Sequence, residues 1–167
     1  MSPGLATLRP VTPAIDDDID QLLVRLLATD GRATLAALGT QAGLSTSAVQ
    51  ARVRRLEATG AIKGYAAAVD YEALGLPLAA FIAITPLDPA QPDDAPQQLA
   101  DLPAIEACYS VAGAEHYLLL VRVASPRALE DLLRDIRARA NVATRTTIVL
   151  QTFFERRPPR TGTFPVE

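Results

Sequence analysis

Residues 34–59 read TLAALGTQAGLSTSAVQARVRRLEAT, and this stretch decides the first half of the fold. The pattern predicts one helix that begins after Thr34 and a second that Ser45 caps and Gly60 ends. Between them lies Gly43, which permits the positive φ that a tight turn needs. The stretch therefore has the form of a helix-turn-helix, in which the second helix lies in the DNA major groove.

The second of these helices has an apolar face and an opposite polar, basic face. Val49, Val53 and Leu56 share the apolar face, which we expect to pack on the two preceding helices. An anchored helix with a basic outer face suits contact with bases and phosphates, and we expect Arg52 and Lys63 to touch phosphates. A solvated arginine face on an ordinary amphipathic helix is the alternative; the short spacing of three helices and the glycine turn favour DNA. The candidate DNA-contacting residues are Ser45, Thr46, Ser47, Gln50, Arg52, Arg54, Arg55 and Lys63.

A further helix is predicted before this motif, over residues 16–29. Its apolar residues recur at helical spacing and form one face. Residues 16–18 are three aspartates at its start, where the positive end of the helix dipole favours acids. A metal site is the alternative interpretation of these acids, and it is much rarer than a helix start. Residues 62–69 then read as a short strand or hairpin beside the helices, and residues 70–76 as a one-turn linker.

The second half of the chain alternates between strand and helix patterns in the order β-α-β-β-α-β. This order predicts a ferredoxin-like sandwich with both helices on one face of an antiparallel sheet. The other face, if apolar, needs a cover, usually a second subunit. The predicted strands are 78–87, 105–111, 117–124 and 144–155, and the predicted helices are 96–101 and one that Ser125-Pro126 opens.

The predicted fold class is thus α+β, with a winged-type helix-turn-helix followed by the ferredoxin-like βαββαβ domain. The predicted organisation is a flexible extension at 1–14, a DNA-binding domain at 15–64, a linker strand and turn at 65–77, an effector-binding and dimerisation domain at 78–157, and a flexible tail at 158–167.

The composition of the chain limits which functions and which compartment are consistent with it. The chain has 167 residues, of which 49% are hydrophobic, and a formal charge of −3, so any DNA contact must come from a local basic patch. Cys108 is the lone cysteine, which excludes an internal disulfide, fits a reducing cytoplasm, and is interpreted as a small buried residue. No long uncharged apolar run indicates a membrane span, and the N-terminus does not resemble a signal peptide.

An enzymatic function is not indicated. The single histidine, His116, has no nucleophile or acid at a diagnostic spacing, and there is no glycine-rich phosphate loop, so we assign no catalytic residues, no cofactor and no metal. A protein that only binds an effector or assembles, or an architectural DNA-binding protein without a small-molecule ligand, is the alternative function. Loss of operator binding on changing Arg54 and Arg55 would separate a regulator from a protein that only binds an effector or assembles.

The two halves in this order resemble the Lrp/AsnC (feast/famine) family of bacterial and archaeal regulators. The resemblance covers nearly everything from Ile15 to about Arg157. The stretches that carry it are IDDDIDQLLVRLLATDGRATLAALGTQAGLS, VRRLEATGAIKGYAAAVDYEALGL, VAGAEHYLLLVRV and TRTTIVL. Their order and spacing together are specific.

The resemblance implies a regulator that binds double-stranded DNA with paired N-terminal domains. It implies homodimers formed through the C-terminal sheets, which often associate into octamers, and a small effector, often an amino acid, bound between C-terminal domains. The family often has an aspartate just before the tyrosine of the effector turn, where this chain has His116 after Glu115. The effector site carried over from the family comprises Gly113, Ala114, Glu115, His116, Tyr117, Thr144 and Thr146.

Overall fold

A computed structural model describes residue 15 and residues 17–158 of the chain. Asp16, the predicted N-terminal extension and nearly all of the predicted C-terminal tail lie outside the described residues. The chain divides into two compact units, one formed by Met1–Ala67 with Phe154–Glu167 and the other by Ala68–Phe153. The predicted linker at 65–77 falls across this division.

The N-terminal unit contains three helices whose ends follow the sequence signals. Thr34 and Ser45 each accept a hydrogen bond from a backbone N–H in the first turn of the helix they cap. Gly43 lies in the left-handed region with φ of 67°. The first helix begins after Asp17, whose carboxylate caps it, rather than at the predicted residue 16. The helices are α1 (Asp18–Thr29), α2 (Leu35–Ala42) and α3 (Thr46–Ala58).

A small apolar core joins these helices. The buried residues of this core include the three that were predicted for the inner face of α3, and they are Leu23, Leu38, Val49, Val53 and Leu56. Close approach of α2 to the turn adds a constraint that the sequence did not reveal. An added Cβ on Gly39 would lie 2.6 Å from the carbonyl oxygen of Leu44, so this position admits only glycine without a backbone shift.

The strand or hairpin predicted at 62–69 is wrong, because the described residues there form no strand. Gly64 has φ of 152°, and Tyr65 and Val69 are exposed on this segment. A strand needs a neighbouring strand to satisfy its backbone groups, and the helical unit offers none. The predicted one-turn linker is present as a turn at 71–75, with the backbone N–H of Leu76 donating to the carbonyl of Tyr71 at 2.8 Å.

The C-terminal unit is the predicted ferredoxin-like sandwich. Its four strands form one sheet in the order β2-β3-β1-β4, and every neighbouring pair is antiparallel. Ser125 caps the long helix, and Pro126 occupies its first turn as predicted. The elements are β1 (Leu78–Pro86), α4 (Ala95–Leu99), β2 (Ile105–Ser110), β3 (Tyr117–Val123), α5 (Pro126–Ala140) and β4 (Val142–Ile148).

The two faces of the sheet differ. One face packs on α4 and α5. Ile82 and Leu119 of the sheet and Ile136 of α5 are fully buried between these layers. No helix of this unit, within the described residues, packs on the other face, which we call the open face. The open face carries the alternate side chains of the same strands, including Ala79, Phe81, Ala83, Tyr109, Leu118 and Leu120. The open face is therefore largely apolar, which is the condition under which the sequence analysis expects a cover.

Two details of the strands correct the sequence prediction. A register shift between Ile105 and Ala107 turns Ile105 toward the helices and leaves Ala107 opposite Leu120 on the open face, so the simple alternation predicted for this strand is wrong. Cys108 is exposed rather than buried, although neighbouring atoms desolvate its sulfur and raise the pKa of the thiol. It lies on β2, one of the two edge strands of the sheet, and no further described strand pairs with the outer side of β2.

The last strand is shorter than predicted. β4 ends at Ile148 instead of continuing to residue 155, because its partner β1 begins at Leu78 and offers few backbone groups beyond that point. One further hydrogen bond, from the N–H of Val149 to the carbonyl of Ala79, marks the end of the pairing.

Within the described residues, no helix combines the length and the apolar character needed to cross a membrane.

Candidate DNA interface and effector site

Helix α3 presents the predicted polar face to solvent. Ser47, Gln50, Arg54 and Arg55 are all exposed. Ser45 is committed to its cap, because its hydroxyl accepts from the N–H of Ala48 at 3.3 Å. Because the opposite face of α3 is buried in the core, the outer face is held in one orientation and can be laid against a flat or grooved partner.

Arg54 is the unengaged arginine of this helix. Within the part of the chain that the structure describes, its guanidinium has no ion pair or hydrogen bond. Lys63 lies exposed in the loop after α3, also without a described partner. Neither cation has to break a contact with a described residue before it meets an incoming anion.

Arg52 and Arg55 have partners on α1. Arg52 Nη1 donates to Asp17 Oδ2 at 2.8 Å and to Asp20 Oδ1 at 2.7 Å. Arg55 donates to the other carboxylate oxygen of Asp20. The bond from Arg52, followed by the backbone N–H of Ile19, holds the pKa of Asp17 below its ordinary value, and the same acids raise the pKa of Arg52. A phosphate contact by Arg52 would require it to leave two carboxylates.

Asp20 was not among the predicted site residues. It is 3% exposed, and both of its carboxylate oxygens are used by α3. A signal was available in the sequence, because Asp17 and Asp20 are three residues apart, as are Arg52 and Arg55. Residues at that spacing lie on one face of a helix. What the sequence could not supply was the packing of α1 on α3 that brings the two pairs together.

The predicted effector turn joins β2 to β3 at one end of the sheet. The backbone N–H of His116 donates to the carbonyl of Ile84, and its carbonyl accepts from Val111, both at 3.1 Å, while its side chain is exposed. Gly113 does not have a positive φ, and an added Cβ would meet only Glu115 Oε2 at 4.0 Å. Glycine is thus not needed there for backbone conformation or close packing, and Gly113 and Ala114 leave the turn unobstructed.

Glu115 is not a free acid at this turn. Its carboxylate accepts a hydrogen bond from Arg145, which projects from the middle of β4. An ammonium group of a ligand would therefore share Glu115 with Arg145 or displace it.

Tyr117 lies behind the turn and is buried. Its hydroxyl donates to Asp93 Oδ1 at 2.6 Å, and this bond, followed by burial, raises the pKa of Tyr117 to about 12. Tyr117 is paired in register with Ile84, which is paired with Thr144 on its other side. The structure therefore brings Tyr117 and Thr144 to the same end of the sheet.

The predicted effector residues do not all lie on one surface. Thr144 and Thr146 alternate with Arg145, so both point to the helix side of the sheet, whereas Arg145 and its partner Glu115 lie toward the open face. Thr144 Oγ1 also accepts a bond of 3.2 Å from Arg137 of α5. Within the described residues, no cluster of three or more His, Cys, Asp or Glu side chains is arranged to hold a metal ion.

A helix-turn-helix unit followed by a ferredoxin-like unit with an apolar open face defines a class of DNA-binding regulators. The comparison with family models agrees: the AsnC-type helix-turn-helix domain matches residues 17–57, and the Lrp/AsnC ligand binding domain matches residues 79–159. The chain belongs to the Lrp/AsnC family. It is a DNA-binding transcriptional regulator and not an enzyme.

Its relatives include regulators of known structure. The chain is 64% identical over 141 residues to the HTH-type transcriptional regulator LrpA of Mycobacterium tuberculosis, a match that covers 84% of this chain and 94% of LrpA. It is 35% identical over 128 residues to LrpC of Bacillus subtilis, covering 77% of this chain and 88% of LrpC. A feast or famine regulatory protein from M. tuberculosis complexed with L-methionine matches with 63% identity and a TM-score of 0.83, covering 86% of this chain and 99% of the other.

Proposed function

We propose that this regulator recognises specific DNA sequences through the outer face of α3. Ser47, Gln50 and Arg54 are the base-contacting candidates. Thr46 and Lys63 are close to them in sequence and are the candidates for contact with the adjoining DNA phosphates. The single observation that carries the proposal is the exposed side chain of Arg54, which has no partner among the residues that the structure describes, on a helix whose other face is buried. Arginine pairs with guanine in two hydrogen bonds, which contribute about 1–3 kcal/mol of discrimination.

The test begins with selection of bound sequences from a random duplex pool by the wild-type protein. Arg54→Ala should then weaken binding to the selected site about tenfold or more, as the loss of one arginine–guanine pair predicts. Arg127→Ala is the matched control, because Arg127 is an exposed arginine on α5 in the other unit. Equal, negligible effects of the two changes would show that α3 does not read DNA.

We also propose that the chain is a homodimer through its open sheet face, and that dimers associate into octamers. Phe81 is 37% exposed and Tyr109 51% exposed on this face, beside Leu118 and Leu120. Burial of such side chains contributes about 25 cal/mol for each Å² of apolar surface removed from water. A dimer would also pair two α3 helices to match a two-fold operator.

Light scattering at micromolar concentration tests the assembly. The wild-type protein should be at least dimeric, and Leu120→Glu, which places a charge in the middle of the open face, should shift it toward the monomer. Glu130→Gln on the exposed side of α5 is the control and should leave the mass unchanged. A monomeric wild-type protein would refute the proposed interface.

We further propose an amino acid as the effector, bound between subunits near the turn that contains Gly113. A relative with 63% identity was solved in complex with L-methionine, which makes L-methionine the first compound to test. The backbone N–H groups of the turn are suited to receive a carboxylate. Glu115, shared with Arg145, would meet the ammonium group, and Tyr117, whose hydroxyl Asp93 already holds, would support the turn from behind.

Calorimetry with L-methionine and the other amino acids tests this site directly. Gly113→Arg should abolish the binding of an active compound by filling the open side of the turn. His116→Asp, which restores the residue that the family often has, should strengthen it. An effector that regulates must bind two assembly or DNA-binding states unequally, so operator affinity is measured with and without it. If no amino acid binds, the alternative of a regulator without a small-molecule ligand takes its place.

The single exposed cysteine and the DNA partner together favour the cytoplasm as the compartment in which the protein works.

A further inference from the structure

Asp20 is the one charged side chain that the structure buries among the residues it describes. An ionised carboxylate removed from water is stable only when it is paired and hydrogen-bonded. Both partners of Asp20, Arg52 and Arg55, come from α3, the helix that carries the proposed DNA-reading face. Among the described residues, the buried carboxylate of α1 therefore bonds to side chains of α3 alone.

The geometry assigns each carboxylate oxygen to a different arginine. Arg52 bonds to Oδ1 of Asp20 at 2.7 Å, and Arg55 bonds to Oδ2. Asp17, the residue that caps α1, accepts a second hydrogen bond from the same nitrogen of Arg52 at 2.8 Å. We call these four residues the acid clamp. The clamp engages both guanidinium groups with carboxylates, and the Arg52 side chain is 27% exposed and the Arg55 side chain 58% exposed in these pairs.

The charges of the clamp change what α3 offers to DNA. The three arginines of α3 carry a charge of +3, and Asp17 and Asp20 together carry −2. The sum over these five residues is +1, and Arg54 is the arginine that the two acids do not pair with. Sequence-independent affinity comes from cations that neutralise phosphates and release counterions. Base contacts, in contrast, carry the sequence information. Removing two cations from the phosphate-binding set lowers non-specific affinity and leaves the base-reading arginine in place.

We propose that Asp20, assisted by Asp17, is a specificity-determining residue of this regulator. It holds Arg52 and Arg55 away from DNA phosphates, so that discrimination between operator and arbitrary DNA depends on Arg54. Asp20 is a positioning residue, because it acts through the arginines and does not touch DNA. The inference rests on the proposed DNA-binding function of α3.

Three isosteric changes test the clamp with equal changes in charge. Asp20→Asn weakens the hold on both arginines, and Asp17→Asn weakens only the hold on Arg52. Asp18→Asn is the matched control, because Asp18 is exposed between them and has no bond or ion pair to another described side chain. Each full-length variant is titrated into a short duplex of arbitrary sequence and into the selected operator, from about 50 to 200 mM salt, the range over which phosphate contacts strongly change affinity.

For arbitrary DNA, the clamp predicts a steeper plot of log affinity against log salt. Each arginine that is freed to bind a phosphate steepens the slope by about 0.9. Asp20→Asn should show the largest increase, Asp17→Asn a smaller one and Asp18→Asn none, and the ratio of operator to arbitrary-DNA affinity should fall in the same order. A purely structural role of Asp20 would lower the melting temperature without steepening the slope.

The proposal is overturned if Asp18→Asn steepens the slope as much as the other two changes, because the change in net charge alone then explains the effect. It is also overturned if a folded Asp20→Asn protein keeps the wild-type slope. Should Asp20→Asn fail to fold, Asp17→Asn decides, since Asp17 is at the surface end of the clamp and asparagine also caps helices. If these variants behave like the wild type while Arg54→Ala loses the operator, the clamp fails and the DNA-binding proposal stands. If the wild-type protein binds no duplex, both fail.

Discussion

The two units of this protein are stabilised by different means. The C-terminal unit encloses one apolar cluster of fifteen buried residues between its sheet and its helices. The N-terminal unit has five buried apolar residues and adds a buried carboxylate that two arginines share. Apolar burial depends little on pH, whereas ion pairs weaken when an acid is protonated or salt screens them. We therefore expect solution conditions to act first on the unit that meets DNA.

This difference also suits the two tasks. The sheet unit is the proposed platform for assembly, which requires a constant shape. In the proposed mode of DNA binding, the helical unit presents α3 to a polyanion, and the charged groups that hold α3 are of the kind that DNA phosphates compete for. Four changes break or sharpen the comparison, and they are given in order of decreasing expected effect.

Leu119→Ala should cause the largest loss of stability. Leu119 is fully buried at the centre of β3, between Ile82 and Cys108 of the neighbouring strands. Truncating a core leucine typically costs about 2–5 kcal/mol, because apolar contacts are lost and a cavity remains. Urea unfolding measures the change. Leu74→Ala, in the same unit but 62% exposed, is the control and should alter stability by less than about 0.5 kcal/mol. Similar losses in both would contradict the single-core description.

Gly39→Ala should destabilise the N-terminal unit by about 1–3 kcal/mol, the usual cost of overpacking. The new Cβ would lie 2.6 Å from the main-chain oxygen of Leu44, which cannot rotate away as a side chain does. Gly31→Ala in the same unit is the control, because its Cβ would meet the Tyr65 ring at 3.4 Å and the carbonyl oxygen of Leu27 at 3.7 Å, which are ordinary contact distances. Thermal unfolding followed by circular dichroism distinguishes the two. A Gly39→Ala protein as stable as Gly31→Ala would show that α2 and the turn are less closely packed than described.

Tyr117→Phe tests the C-terminal unit at high pH and should cost about 1 kcal/mol at neutral pH, the usual contribution of one hydrogen bond. The folded pKa of Tyr117, about 12, lies above its ordinary value of 10, so the bond to Asp93 contributes fully below pH 10. That contribution is lost as pH rises through about 12. The free energy of unfolding measured against pH should show this loss in the wild type and in Tyr109→Phe, but not in Tyr117→Phe. An identical alkaline loss in all three would contradict the assignment.

Asp17→Asn tests the N-terminal unit at low pH and should have the smallest effect. The bond from Arg52 lowers the folded pKa of Asp17 below its ordinary value of 3.8. Its contribution to stability is therefore present above pH 3.8 and is lost as pH falls through the lower folded value. The Asp17→Asn variant should lack this part of the loss of stability at low pH, whereas the Asp18→Asn variant should show it as the wild type does. Acid titrations followed by circular dichroism provide the measurement, and coinciding curves for the wild type and Asp17→Asn would exclude the pair as a stabilising contact.

Local signals in the sequence predicted most of the fold. Thr34 and Ser45 cap α2 and α3, Gly43 makes the turn, and Ser125-Pro126 opens α5, because each signal depends only on backbone chemistry within a few residues. The order of the strands followed from the order of the patterns. The end of β4 at Ile148 and the shift after Ile105 did not, because strand length and register depend on what the neighbouring strand offers.

The candidate sites divide in the same way. The sequence by itself indicated the family, through the order and spacing of the stretches that resemble it. It also determined the buried and exposed faces of α3, since these follow from the periodicity of side chains along one element. Only the tertiary structure decided that Asp20 engages Arg52 and Arg55 and that Arg54 does not share in this pairing. It also decided that Glu115 pairs with Arg145 while Thr144 faces the helices. Contacts between residues distant in sequence depend on how whole elements pack, and the pattern of one element does not contain that information.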